Sequence, residues 1–409
     1  MDYVEKKNKY TKIIDNLIVL SLCLLILGLP FSNSIIEITA STAIFLWLFK
    51  KIFILRTIKF EKTPLNKPIF FYLIFVALSL INSKYLATSL KGFAFKTIEH
   101  FLLYFAIVES VKTQKDIRKI ISTILLSCAL IGVDGLWQYF TGCDFLRGYP
   151  LWSMGRIKAS FKYPTGFGGW LITALPLCIS LAIFNIKDKL YRISGIILGF
   201  LLLASLVLSL TRGAWIAIVP AIIFLVWKRG DAAKKILLIF LLIIILGIVF
   251  ATISGGRETI SFYVVRGSAV LHRMALAKLC CRMFIDHPFL GHGVNTFMSI
   301  YENYMSASEF GGISYAHNCY LQIAVETGIF SLLAFLWMII ALFVSSLKDI
   351  NRRDEGFIRT IEFGLLAGLL AYSVHSLLET NLYALQLAIL FYYFLGVAIS
   401  IQNIGDASL

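Results

Sequence analysis

The chain has 409 residues, 59% of them hydrophobic and only 15% charged, with a formal net charge of +15. That balance excludes an ordinary soluble domain, because the apolar residues come in runs long enough to cross hydrocarbon. The positions of the charges also exclude a nucleic-acid binder: 25 of the 38 Lys and Arg residues fall in short alternate loops at 1–13, 50–67, 111–119, 185–192, 228–235 and 347–360, as the positive-inside rule requires of cytoplasmic loops.

In chain order, the apolar runs predict spans over Ile13 to Pro30, Ile35 to Phe49, Ile69 to Ile81, Phe93 to Val108, Ile117 to Phe140 and Phe167 to Phe184. Further spans are predicted over Ile193 to Leu210, Ala214 to Trp227, Ile236 to Thr252, Asn318 to Leu347, Phe357 to Leu378 and Leu382 to Ile401. The expected fold is all-α, a polytopic protein of about 12 transmembrane helices forming a single integral membrane domain over 1–409. Both termini are then cytoplasmic, and the one large loop, 253–317, faces outward. No small-residue cleavage site follows Pro30, so the first span is expected to be a retained anchor. Of seven Cys residues, Cys143, Cys280, Cys281 and Cys319 fall on or near the outer side, where pairing is possible. Their spacing makes no metal or redox motif, and buried free thiols are the simpler expectation.

An ionisable group in hydrocarbon costs roughly 2.5–3.5 kcal/mol on insertion scales, so each one within a span needs a reason. Lys96, Glu99 and His100 share one face of the fourth span, and Asp134 and Gln138 lie in the outer half of the fifth. Asn318, Gln322 and Glu326 form a stripe descending about 12 Å from the start of the tenth span. His375 and Glu379 stand at the outer end of the eleventh. These groups build a polar cup open to one side, whereas a channel or proton-coupled carrier places such groups along a through-path. Pairing between helices, Lys96 with Glu99 and His375 with Glu379, is the simpler account of some of them.

Arg212 occupies the tight outer turn between the seventh and eighth spans, beside the free N–H groups of the helix that follows. Both favour an anion at headgroup depth, whether substrate or lipid phosphate. Within the 253–317 loop, which holds four of the six His residues, residues 264–286 predict a helix ended by Asp286 and Pro288. Arg273 shares the face of Leu276, Ala277, Cys280 and Phe284, while Lys278 and Arg282 point the other way. A guanidinium on an apolar face needs an anion: phosphate oxygens, or a carboxylate such as Asp286, Glu302 or Glu309. His317, between the flexible Gly311-Gly312 and the Asn318 stripe, is placed either to take a proton from a hydroxyl or to cap the helix. His287 and His292 lie in a turn-rich stretch and read as structural. No metal site, phosphate loop or nucleophile elbow is evident.

Several segments taken together resemble the O-antigen ligase and polymerase family of bacterial membrane glycosyltransferases. They are Ala159-Ser160-Phe161-Lys162-Tyr163-Pro164-Thr165-Gly166, Leu210-Thr211-Arg212-Gly213-Ala214, Arg273 ahead of His287-Pro288-Phe289-Leu290-Gly291-His292-Gly293, and Ala316-His317-Asn318 with Tyr320-Leu321-Gln322 and Glu326-Thr327-Gly328. The motifs cover about 160–330, and Thr165 stands where the family often has Asn. The resemblance implies a C-type glycosyltransferase fold in the bacterial inner membrane with its active site on the periplasmic side, inverting, with no metal and no cofactor. Carried over by position, Arg212 and Arg273 hold the diphosphate of an undecaprenyl-diphosphate-linked glycan donor, and His317 activates the acceptor hydroxyl. Lys162, Asn318, Gln322 and Glu326 are the expected substrate-binding residues. The expected acceptor is lipid A core, a preference that rests on a compact chain without an extra C-terminal periplasmic domain. An O-antigen polymerase or a protein O-oligosaccharyltransferase uses the same parts, and a lipid-linked substrate flippase is the alternative from a different class. Membrane lipids, and no nucleic acid, complete the expected partners.

Overall fold

The structure, a computed structural model, describes residues 2–184, 186–229, 256–305 and 315–405. Among these residues the regular elements are helices, with two isolated β-bridges in the 142–163 loop. They are α1 Asp2–Gly28, α2 Asn33–Phe49, α3 Asn66–Ser79, and α4 Leu86–Gly92 running through a π-helical turn, Phe93–Ile98, into α5 Glu99–Ser110. Then follow α6 Gln114–Thr141, α7 Pro164–Ile183, α8 Lys189–Leu208, α9 Arg212–Arg229, α10 Gly256–Asp286, α11 Cys319–Arg352, α12 Phe357–His375 and α13 Leu385–Gly405.

The helices start and stop where local chemistry directs. Thr113 and Asp116 form a reciprocal capping box at the start of α6, and Gly142 ends that helix in the left-handed conformation. Ser32, Asp188 and Asn318 cap α2, α8 and α11 with their side-chain oxygens. Among the described residues eight helices are long and apolar enough to cross a membrane, including Gln114–Thr141, Pro164–Ile183, Cys319–Arg352 and Leu385–Ile404. The protein is therefore an all-α, multi-pass membrane protein. The predicted third, fourth and eighth spans also fall on helices, whereas the predicted ninth, Ile236 to Thr252, lies outside the described residues.

Burial separates the centre of the bundle from its rim. The apolar windows of α7 and α13 are 83% and 94% buried, against 39% for α1, α2 and α8. The central α7 meets α12 at Gly364 and Gly368, where an added Cβ would come within 2.4 Å of Ser180 Oγ and 2.2 Å of the Thr173 carbonyl. With little hydrophobic drive between helices in lipid, such close backbone approach supplies the packing.

The two ends of the bundle differ. At one end, Lys50 at the close of α2 donates to Asp15 and to Ser110 Oγ at 3.2 Å, and Lys51 donates to Glu109 at 2.6 Å. This buried network ties α1, α2 and α5 together beside the basic 50–67 loop. At the other end, Gln386 at the start of α13 donates to the carbonyls of Leu29 and Pro30, both at 3.1 Å.

That second end also holds a break in α11. Gly328 adopts φ +80°, ψ 176°, and the helix kinks. The interrupted backbone is satisfied from outside the helix: His292 N–H donates to the Val325 carbonyl at 3.1 Å, Gly293 N–H to that of Glu326 at 2.8 Å, and Ile329 N–H to that of Pro288 at 2.9 Å. Irregular backbone at membrane depth is tolerated where protein covers it in this way. The His287 to Gly293 stretch is thus a clasp on α11, and a Cβ on Gly328 would sit 2.0 Å from the Phe289 carbonyl oxygen.

Candidate functional site

The site is assembled at this end from five separate stretches of chain. Glu379, in the loop between α12 and α13, is its centre. Its Oε1 accepts from Arg273 Nη2 at 2.7 Å and its Oε2 lies 2.9 Å from His317 Nδ1. The side chains of Arg273, His317 and Glu379 are 44%, 33% and 11% exposed, so a covered carboxylate holds two groups that reach solvent.

The segments bearing these groups are themselves fixed. Arg273 projects from α10, whose Leu276, Leu279, Cys280 and Met283 pack with Phe297, Ile300 and Tyr301 in a small apolar cluster. Lys278 and Arg282 are exposed on the other side, as helical spacing predicts. His317 stands just before α11 with φ +49°, a conformation that non-glycine residues avoid. Glu379 is held through its backbone: its N–H donates to the His375 carbonyl at 2.9 Å, and its carbonyl lies 3.3 Å from Cys319 Sγ.

A second basic group comes from the α6–α7 loop and the α8–α9 turn. Arg156 Nε donates to the Ser209 carbonyl at 2.9 Å and its Nη2 to Thr211 Oγ1 at 3.3 Å, which ties it to the turn that presents Arg212 as the first residue of α9. Burial draws the Arg156 pKa below its ordinary value; the Glu379 charge pulls the other way and Arg212 adds to the lowering. The three charges therefore act on one another. Burial also pushes the Glu379 carboxyl up, but the hydrogen bond from His317 and the charges of His317, His375 and Arg273 outweigh it and hold the group below the usual carboxylate range.

The hydrogen-bond pattern fixes the orientation of the imidazole. An ionised carboxylate only accepts, so His317 Nδ1 carries a hydrogen, and in the neutral imidazole the lone pair is the one on Nε2. The orientation is that of a base held by a buried acid.

The expected residues take different places in this arrangement. His317 and Arg273 converge on Glu379, and Arg212 follows the turn that Arg156 holds, with its charge acting on Arg156. Lys162 is exposed, with its ammonium 5.2 Å above the Tyr163 ring, on the loop that carries Arg156. Asn318 caps α11. Gln322 is buried and donates to Glu326 Oε1 at 3.1 Å. Glu326 also accepts from the N–H groups of Asn295 and Phe297 at 2.8 and 3.2 Å and from Tyr383 O–H at 3.1 Å. The chain itself engages all three, to hold the clasp and the α12–α13 loop against α11.

Two expected pairings are corrected. Lys96 donates to Asn295 Oδ1 at 2.8 Å instead of pairing with Glu99, because the clasp brings that amide over α4. His375 Nδ1 hydrogen-bonds the Asn381 side chain at 3.1 Å and meets Glu379 through charge alone, because that carboxylate is turned toward Arg273 and His317. Of the carboxylates considered for Arg273, the structure chooses none of Asp286 and Glu302, and Glu309 lies outside the described residues. The seven Cys residues are free thiols, with Cys128, Cys178, Cys280 and Cys319 buried. Sequence reasoning placed Glu379 in the cup but not in the site, and it missed Arg156. The one signal for Arg156 was an arginine shortly ahead of the Lys162 motif.

Residues 197–336 match the family described as O-antigen ligase. No curated protein matches the chain. The matched stretch includes Arg212, Arg273 and His317 and stops short of Arg156 on one side and Glu379 on the other. The resemblance is borne out over 197–336, which takes in the motifs from Leu210 to Gly328 and leaves the one at 159–166 outside.

Proposed function

We propose, from the premise that the chain carries an O-antigen ligase family domain over residues 197–336, that it transfers a glycan from an undecaprenyl-diphosphate donor to an acceptor hydroxyl of lipid A core at the periplasmic face of the bacterial inner membrane. The observation that carries this reading is the seating of Arg273 and His317 on the two oxygens of Glu379, with Arg156 and Arg212 alongside.

In the proposed step, His317 Nε2 takes the proton of the acceptor hydroxyl, whose oxygen attacks the anomeric carbon of the donor sugar. The bond from that carbon to the diphosphate oxygen breaks, and the electron pair leaves with the diphosphate. One displacement inverts the configuration. Negative charge grows on the leaving group, and guanidinium groups of Arg212, Arg156 and Arg273 stabilise it in the role a cation would otherwise fill. The proton then passes from His317 to bulk water. Glu379 fixes the tautomer of His317 and the position of Arg273, while Asn318, Gln322 and Glu326 serve as the frame. The excess of Lys and Arg in loops at the Lys50 and Lys51 end supports a periplasmic site with cytoplasmic termini.

The test is transfer by purified protein supplied with lipid-diphosphate-linked glycan and with lipid A core taken from cells lacking the protein. Capped lipid A core is the expected product. Extension of the glycan on its own carrier would instead make the protein a polymerase, and absence of transfer to any acceptor would end the enzyme reading.

A further inference from the structure

A cleft of about 520 Å³ lies between α2, the α4–α5 helix and the start of α13, lined by Glu37, Phe95, Lys96, Glu99, His100 and Tyr383 among others. Its size falls within the roughly 300–1,000 Å³ of small-molecule sites. The polar cluster on the fourth span, which the transfer reaction leaves unused, opens into it. So does Tyr383, four residues beyond Glu379, whose ring packs 6.1 Å from that of Tyr315, two residues before His317. The 379–383 loop is thus a shared wall. Glu379 at one end of it holds Arg273 and His317, and Leu382 and Tyr383 at the other line the cleft.

Charge divides the two sides. Arg156 and Arg212 stand on the side of α7, α9 and α12, where Gly213 of α9 packs on His375. The cleft presents two carboxylates, Glu37 and Glu99, against one ammonium, Lys96, which donates to Asn295 Oδ1 at 2.8 Å. A diphosphate is repelled by such a pair, whereas sugar hydroxyls donate well to carboxylates. The Phe95 and Tyr383 rings offer apolar faces for a sugar ring. Ala40 and Ala388 line the same cleft lower on α2 and α13, the helices whose starts form its rim.

We infer that this cleft is the acceptor subsite, taking uncharged sugars at the outer end of the acceptor glycan, on a lipid that carries no diphosphate, with the reactive hydroxyl passed over the Tyr315–Tyr383 wall to His317. The inference rests on the transfer reading for its direction. It commits the basic side to the donor and the acidic side to the acceptor.

Two measurements on the full chain test it. With a photo-crosslinking residue at Phe95, irradiation in cells is expected to yield an adduct whose mass corresponds to a glycan-bearing lipid without diphosphate. An adduct of polyprenyl diphosphate, or of ordinary phospholipid only, overturns the inference. In transfer kinetics, Glu37→Gln and Glu99→Gln are each expected to raise KM for lipid A core, purified from cells lacking the protein, by about tenfold while KM for the donor stays put. Equal shifts for both substrates, or none, overturn it. A wild-type protein that transfers nothing yet forms the glycan adduct retires the enzyme reading and overturns the acceptor assignment with it, leaving the cleft as a glycan-binding site.

Discussion

His317 Nδ1 lies 2.9 Å from a carboxylate oxygen of Glu379, a residue 62 positions further along the chain. The same carboxylate binds Arg273, 106 positions before it. One side chain in the α12–α13 loop therefore fixes the geometry of two groups contributed by residues 253–317.

Replacing Glu379 by Gln keeps the size of the side chain and removes its charge. The amide NH2 then donates to Nδ1, the hydrogen moves to Nε2, and the base is lost. Transfer is expected to fall by roughly 10²–10⁴-fold, as for other histidines held in the wrong tautomer. The check is kcat of purified Glu379→Gln beside wild type, both monodisperse in detergent. Activity within a factor of a few of wild type would remove Glu379 from the site.

The depressed carboxyl of Glu379 sets a pH window for stability. A group whose folded pKa is lowered stabilises the fold fully above its unfolded value, here near 4.5, and loses that contribution as pH falls through the folded value. The difference in Tm between wild type and Glu379→Gln is expected to be flat from neutral pH down to the ordinary carboxylate range and to collapse below it. A difference that vanishes already near neutral pH contradicts this electrostatic assignment.

Arg273→Ala and His317→Ala are expected to abolish transfer while folded protein remains in the membrane. Arg273→Lys keeps a charge and loses the planar fork, so it recovers only a small part of the rate. Membrane fractionation with a transfer assay reads both properties, and wild-type rates in either alanine variant would take that residue out of the mechanism.

Arg156 presents the turn that carries Arg212, through its bonds to Ser209 and Thr211. Arg156→Ala and Arg212→Ala are each expected to cut kcat/KM by about 10–100-fold, and the double variant by less than the product of the two, since residues acting as one unit are not additive. Strict multiplicativity would separate them.

Gly328→Ala addresses the clasp. The added methyl meets the Phe289 carbonyl and must adopt φ +80°, so a loss of more than about 1 kcal/mol is expected. Thermal unfolding in detergent measures it, and an unchanged Tm would mean that the break in α11 relaxes freely.

Much of this was legible in the sequence. Long apolar runs demand helices because lipid offers backbone groups no other partner, and the 3.6-residue repeat put Arg273 on a different face from Lys278 and Arg282. Order along the chain also carried the family resemblance through Arg212, Arg273 and His317. Spacing of i and i+4 finds neighbours only within one helix, which is why it proposed Lys96 with Glu99 and His375 with Glu379. The actual partners, Asn295 for Lys96 and the Arg273 and His317 pair for Glu379, come from distant segments. Only the packing of α10, α11 and the α12–α13 loop decides which carboxylate lies within reach of which cation. Pairs so far apart leave no periodic trace, since their distance is set by the whole bundle and not by the residues between them.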